Sequence, residues 1–244
     1  MIQTTLILAG GLATRLHPLS QNCPKALIDV NGTPFIGHQL AYLKTQHIKD
    51  VVICLGHLGH MIRTTLGHSY EGMSINYSED GPTPLGTGGA ISKALATKPL
   101  HEPVFVMYGD SYLPIDFLAV SDAYESANKP ALMTLYRNDD RWDKSNVEFE
   151  AGKVIEYNKQ APSDKMKYID YGLSILTRST ICNITQETAF DVGEVFYHLS
   201  KSDQLAGYVA TERFYEIGSH QGLAETCDYL AGHQPLTKIS NLTL

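Results

Sequence analysis

The chain predicts an α/β fold built on a mostly parallel, mixed sheet with helices on both faces, and three observations carry that expectation. Strand-like and helix-like runs alternate through residues 1–140, as parallel strands joined by crossover helices require. A length of 244 residues with 43% hydrophobic and 18% charged content suits one soluble domain with a sizeable core. No repeat, low-complexity tract or linker interrupts it, so a single domain over residues 1–244 is expected.

Element by element, an apolar strand at residues 5–9 breaks at Gly10-Gly11, and a short apolar strand at 26–30 leads to a turn at 32–34. Thr33-Pro34 offers an N-cap and a first-turn proline to a helix on which Ile36, Leu40 and Leu43 recur at helical spacing. Strands at 51–55 and 73–77 precede a glycine-rich start, PLGTGGA at 84–90, of a helix with Ile91, Ala94 and Leu95 on one face. After a strand at 103–108, Pro114 opens a helix whose Phe117, Val120, Tyr124 and Ala127 form an inward stripe. A strand at 131–136 follows. Residues 146–176 read as strands with turns at Ala151-Gly152 and Pro162-Ser163, covering one side of a cleft. A helix at 192–201, a strand at 205–210 and a helix at 219–231 close the chain.

Composition excludes several classes. A net charge of −7 without a basic run argues against nucleic-acid binding. No apolar run approaches the ~20 residues that span a bilayer, and the N-terminus lacks a basic lead-in. A cytoplasmic protein is expected. Its four scattered cysteines read as reduced thiols. Cys54, His57 and His60 form a C-x-x-H-x-x-H, but nothing supplies a fourth zinc ligand, and the structural reading is preferred.

The most informative stretch is residues 6–35. Two glycines directly after a strand let backbone N–H groups approach a ligand. Arg15 and Lys25 stand around the loop with almost no acidic residue near them in sequence. Amides plus two cations suit a polyphosphate, so the loop reads as a nucleoside triphosphate cradle. G-x-G-x-x-G is absent and no Lys follows G-x-x-x-x-G; a plain surface turn leaves Arg15 and Lys25 unexplained. Asp110 directly follows a strand, where α/β sheets bind ligands. A carboxylate among phosphates calls for a cation, Mg²⁺ being the usual hard partner; the alternative is an Asp capping the helix near Pro114.

Four motifs in order resemble the sugar-1-phosphate nucleotidyltransferases, over nearly the whole chain. They are Gly10, Gly11, Thr14 and Arg15 with Pro24-Lys25 and the turn at 32–34; LGTGGA at 85–90; YGDS at 108–111; and FYEIGS at 214–219. The resemblance implies a Rossmann-like single-domain fold, with residues 1–140 binding nucleotide and residues 141–244 binding sugar and closing the site. It implies catalytic roles for Arg15, Lys25 and Asp110, Mg²⁺ on Asp110 and Glu216, and nucleotide contacts at Leu8, Ala9, Gly10, Gly11, Gly86, Thr87 and Gly88, the last near the base. Many relatives carry Asp where Glu216 stands, and Glu216 has ion-pair alternatives in Arg213 and Lys159. Glu79 is placed either against guanine N1–H and N2–H or in solvent.

The sugar side of the resemblance is Asn146, Lys159, Asp170, Tyr171 and Gly172. Relatives pair a Glu with the Lys, whereas this chain has Asn158; Tyr171 reads equally as a strand aromatic. The implied partners are a nucleoside triphosphate and a sugar 1-phosphate, giving a nucleotide sugar, a precursor of cell-surface polysaccharide, and pyrophosphate. The attacking phosphate is already anionic, with a second pKa near ~6, so no general base is needed. Arg15 would hold the β/γ-phosphates and Lys25 the α-phosphate where it meets the attacking one. The short motif set is most similar to bacterial enzymes pairing GTP with heptose 1-phosphate, or UTP with N-acetylmuramate 1-phosphate; glucose 1-phosphate enzymes come next. A sugar-nucleotide-binding regulator without turnover is the alternative of another class, and it has no need of Arg15, Lys25 and Asp110 together. The oligomeric state is not legible.

Overall fold

The computed structural model describes residues 1–11, 16, 21–97, 100–185 and 188–233; Thr14 and Arg15 lie outside them. In chain order, β1 (Thr4–Ala9) leads through a 3-10 turn (Lys25–Leu27) and the hairpin β2 (Asp29–Val30) and β3 (Thr33–Pro34) into α1 (Phe35–Thr45). Then come β4 (Asp50–Leu55), α2 (Gly59–Leu66), β5 (Ser69–Tyr70), β6 (Met73–Glu79) and α3 (Gly86–Thr97). The middle holds β7 (Val104–Tyr108), β8 (Ser111–Tyr112), α4 (Phe117–Ala127), β9 (Ala131–Arg137), β10 (Val147–Glu150), β11 (Lys153–Tyr157) and β12 (Tyr168–Leu176). The chain closes with α5 (Arg178–Cys182), α6 (Val192–Lys201), β13 (Leu205–Val209), β14 (Tyr215–Glu216) and α7 (His220–Gly232). No helix among the described residues is long and apolar enough to cross a membrane.

The main sheet runs β11-β10-β12-β7-β1-β4-β6-β5, with β9 and β13 branching from β12. Its centre is parallel: β1 pairs with β4 on one side and with β7 on the other, and β4 pairs with β6. The chain moves outward from β1 to β4 and β6, then returns to β7 across β1. Strand order reverses between β1 and β7, the kind of switch point at which open α/β sheets hold ligands, beyond the carboxyl ends of the strands. Beyond β7 the sheet turns antiparallel through β12, which carries residues 146–176 as a continuation of the same sheet.

Both faces of the central strands are covered, which is why they read as unbroken apolar runs. Alternate residues of β1 serve opposite faces. Ile7 joins Ile36, Leu40, Phe117 and Val120 from α1 and α4, while Leu6 joins Ile91, Ala94, Val195 and Phe196 from α3 and α6. A smaller cluster of Val30, Phe35, Tyr112, Ile217 and Leu230 lies under α7.

The fold class stands as expected, and α6 spans the expected residues 192–201. Several local details differ. Thr33-Pro34 does not cap α1 by side chain; it pairs with Asp29-Val30, and Pro34 is the cap residue. The expected strand at 26–30 survives only as Asp29–Val30 because a 3-10 turn takes its first half. α4 starts after Pro114, at Phe117, because the Asp116 carboxylate accepts from the Leu118 amide at 2.8 Å and the Ala119 amide at 3.2 Å, a side-chain cap. α2 and α5 were not expected.

Candidate functional site

A cleft of about 620 Å³ opens at the carboxyl ends of β1, β4, β6 and β7. Leu8, Ala9, Gly10, Gly11, Lys25, Gly86, Thr87 and Asp110 all line it, together with His57 and Asp80. Arg15 lies outside the described residues. The Lys25 ammonium stands 2.8 Å from Asp110 Oδ2, and the Ser111 hydroxyl donates to Oδ1 at 3.2 Å. Along the sequence Lys25 has no carboxylate beside it; in space the fold supplies one from 85 residues away.

Glu216 sits on β14, and Asp110 on the turn that leads into its partner β8. β8 pairs antiparallel with β14, Glu216 opposite Ser111, and the Ile217 amide donates to the Asp110 carbonyl at 2.9 Å. The Glu216 carboxylate accepts from the Gly218 amide and, at 2.7 Å, from the Ser219 hydroxyl. Neither considered ion pair forms: Arg213 engages Glu225 at 2.8 Å and lies 3.5 Å from the Trp142 ring centroid, and Lys159 is elsewhere. The turn at Gly218 brings Glu216 toward Lys25, since a Cβ built at Gly218 would meet both Glu216 Oε2 and, at 3.3 Å, Lys25 Nζ.

Two nucleotide-side assignments change. Glu79 is ion-paired with Arg63 and does not line the cleft; at the end of β6 it shares the face of Met73, Ile75 and Tyr77 and meets α2. Asp80, the next residue, faces the cleft instead, its Oδ2 accepting from the Leu85 amide at 3.3 Å. Gly88 does not line the cleft either. A Cβ there would stand 2.1 Å from the Phe190 ring, and the Gly88 amide donates to the Phe190 carbonyl at 3.0 Å. The flat ring against this helix start is the protein's own. Thr87 does face the cleft, and its hydroxyl also accepts from the Val192 amide at 2.8 Å.

The sugar-side residues divide. Asp170 does not line the cleft; it lies in a small cavity behind the cleft residue Tyr108, with the Tyr108 hydroxyl donating to Oδ2 at 3.3 Å and the Gly172 amide to Oδ1 at 3.0 Å. Burial pushes its carboxyl up to about 6 from 3.8 despite those bonds and the Lys159 charge. Asn146 is buried and spends its Oδ1 on the Asp170 amide, at 3.0 Å. Lys159 lines a second cavity of about 650 Å³ beside Asp191 at the start of α6. Asn158 is used locally, accepting from the Ala161 amide at 2.9 Å. Tyr171 is not at the surface: it is 1% exposed and packs against Phe214 with ring centroids 6.0 Å apart. Alternation on β12 sends it to the core. Gly172, with φ +105°, carries the irregularity that lets β12 switch pairing along β9.

Cys54 faces the core under α3, its thiol pushed up to about 12 by burial, so it offers no thiolate beside His57. Among the described residues no three His, Cys, Asp or Glu side chains gather as a metal cluster. His57 and Asp80 escaped the sequence reading as cleft residues. Their signal was positional: each stands just beyond the carboxyl end of a parallel strand, β4 or β6.

Known proteins match this geometry. A model of the family described as Nucleotidyl transferase matches residues 4–231. A D-glycero-alpha-D-manno-heptose 1-phosphate guanylyltransferase of Campylobacter jejuni is 29% identical over 214 residues, 87% of this chain and 93% of that protein. An N-acetylmuramate alpha-1-phosphate uridylyltransferase of Neisseria meningitidis is 39% identical over 126 residues, covering 50% of this chain and 52% of its own length. Among solved structures, HddC from Yersinia pseudotuberculosis superposes with a TM-score of 0.77 at 22% identity, over 94% of this chain and 100% of that one. That identity speaks to fold alone. The family match spans the crevice, both sides of the sheet and the β8–β14 ribbon alike, and so the chain belongs to the nucleotidyl transferase family.

Proposed function

We propose that this nucleotidyltransferase joins a nucleoside triphosphate to a sugar 1-phosphate, releasing pyrophosphate, and that its preferred pair is GTP with a heptose 1-phosphate. The observation that carries the reading is the meeting of Lys25, Asp110 and Glu216 at the strand-order switch beside the Gly10-Gly11 loop. In this reading residues 1–140 hold the nucleotide and residues 141–244 hold the sugar and close the site. The protein works in the cytoplasm, supplying nucleotide sugars for surface polysaccharide.

Asp110 and Glu216 fit Mg²⁺. They are two hard carboxylates, one on β14 and one on the turn that enters its partner strand, and Mg²⁺ binds by one or two carboxylates plus water and phosphate oxygens rather than by a full protein cage. When bound, the ion would offset the charge of the two phosphates that react and of the leaving pyrophosphate. Lys25 holds the α-phosphate where the sugar phosphate approaches, so that two repelling anions are aligned. Arg15 is assigned to the β/γ-phosphates. Gly10, Gly11 and Thr87 bind nucleotide, and Tyr108, backed by Asp170, is assigned to the sugar side.

Guanine is favoured by Asp80. A carboxylate accepts from the adjacent N1–H and 2-amino groups of guanine, whereas the N3–H of uracil is flanked by two carbonyl oxygens that a carboxylate repels. The Campylobacter relative, matched over most of both chains, supports the same choice. UTP with N-acetylmuramate or glucose 1-phosphate is the second reading, supported by the Neisseria relative. A matrix of four triphosphates against a panel of sugar 1-phosphates, read by pyrophosphate release with Mg²⁺, tests both. GTP with a heptose 1-phosphate is expected to give the highest kcat/KM. A UTP preference overturns the guanine assignment, and no release with any pair leaves a binding regulator.

A further inference from the structure

α1 buries two consecutive polar side chains, His38 at 6% and Gln39 at 1% exposure, inside the stripe that packs on the sheet. Apolar residues of similar size would fill these positions without desolvating polar atoms. His38 Nε2 lies 2.8 Å from the Val30 carbonyl oxygen; a carbonyl only accepts, so this nitrogen carries the proton. Val30 lies on the segment that leaves Lys25. Gln39 Nε2 donates to the Tyr108 carbonyl at 3.1 Å and to the Ser111 carbonyl at 2.8 Å. Those two carbonyls bracket Gly109-Asp110. Because both partners are acceptors, the amide orientation is fixed.

The arrangement is not optimal for stability. Gln39 Oε1 is buried without a hydrogen-bond partner, an unfavourable state that packing alone gives no reason to keep. Asp110 is already tied to β14 through the Ile217 amide, and Gly109 to β1 through the Leu8 carbonyl, each at 2.9 Å. Neither tie fixes Asp110 relative to Lys25. α1 hydrogen-bonds to both segments: His38 holds the Lys25 side and Gln39 the Asp110 side, from adjacent positions on one rigid helix.

We propose that Gln39 is a positioning residue, and His38 its counterpart, through which α1 sets the separation of the Asp110 carboxylate and the Lys25 ammonium for the reaction. The proposal rests on the reading of that pair as part of the reaction centre. A misplacement of about 1 Å at a reacting centre lowers rates on the order of 10²-fold, while triphosphate binding, spread over many contacts, changes little.

Gln39→Met keeps length and burial and removes both donors. Expected for the folded variant are a metal-free GTP Kd within about threefold of wild type, kcat lower by about 10- to 10²-fold, and a severalfold rise in the Mg²⁺ concentration giving half-maximal rate. Gln39→Asn keeps the amide but is one methylene short, reaching at most one carbonyl; it should fall between, and it carries the same criteria should Gln39→Met not fold. A folded variant with wild-type kcat and Mg²⁺ dependence overturns the proposal. So does a variant whose GTP affinity and thermal stability fall in step with kcat at unchanged Mg²⁺ dependence, which is the behaviour of a purely structural residue. Wild-type protein that releases no pyrophosphate overturns the functional reading and this proposal with it; active wild type with indifferent variants overturns the proposal alone.

Discussion

At Asp170 three stabilising contacts lose to burial. The Gly172 amide, the Tyr108 hydroxyl and the Lys159 charge all favour the carboxylate, yet desolvation raises its pKa to about 6. The folded protein therefore holds this proton more tightly than the unfolded chain does. Its contribution to stability is fully present below the ordinary value of 3.8 and is lost as pH rises through about 6; the linkage amounts to at most about 3 kcal/mol. Asp170→Asn removes the ionisation while Asn still offers an oxygen to the Gly172 amide. Relative to wild type, the variant should gain stability between pH 4 and pH 7.5, measured by urea unfolding of ligand-free protein. An offset between the two proteins that does not change with pH would show that Asp170 ionises as an ordinary surface carboxylate. Sequence could place Asp170 on a strand beside a glycine; it could not show a Tyr108 hydroxyl arriving from 62 positions away.

Among elements, the strands were legible and the short helices were not, for one physical reason. β1, β4 and β7 are buried on both faces, so every residue reports its environment. α2 buries only Gly59 and Ile62, and α5 only Thr180 and Ile181, too little to make a periodic signal. The start of α3 was legible as a special place, but its glycines were given the wrong neighbour. At Gly88, helix propensity favours Ala by about 1 kcal/mol, whereas a Cβ 2.1 Å from the buried Phe190 ring forces overpacking that costs about 1–3 kcal/mol. Sterics should win. Gly88→Ala is expected to destabilise the protein, and Phe190→Leu in the same chain to recover part of the loss, giving a coupling of at least about 0.5 kcal/mol in a double-mutant cycle. Additive effects, or a Gly88→Ala variant more stable than wild type, would mean that Gly88 is not held under Phe190.

On the scale of the whole molecule, residue types were readable and their relations were not. Lys25, Asp110 and Glu216 stood out as chemistry-bearing residues in separate motifs, but that Lys25 and Asp110 neutralise each other follows only from the sheet order, which folds residues 25 and 110 to within 2.8 Å. This pairing makes the two charges competitors in the ligand-free protein. A triphosphate that takes Lys25 must displace Asp110, and the displaced carboxylate then repels the phosphates. Removing the carboxylate should therefore separate binding from turnover. Asp110→Asn is expected to bind GTP severalfold more tightly than wild type in EDTA, measured by calorimetry, because the ammonium is released and a like charge is gone. The same variant should lose about 10²–10³ in kcat with Mg²⁺, the scale of removing one preorganised electrostatic group. Lys25→Met should lower kcat and kcat/KM together with a modest change in metal-free GTP affinity, as for a contact used mainly when the two anions are forced together. If Asp110→Asn binds GTP no better than wild type without metal, the ion pair does not hold Lys25 back; if Lys25→Met loses GTP affinity in full proportion to its activity, Lys25 anchors the substrate in the ground state and its assignment to the transition state is wrong.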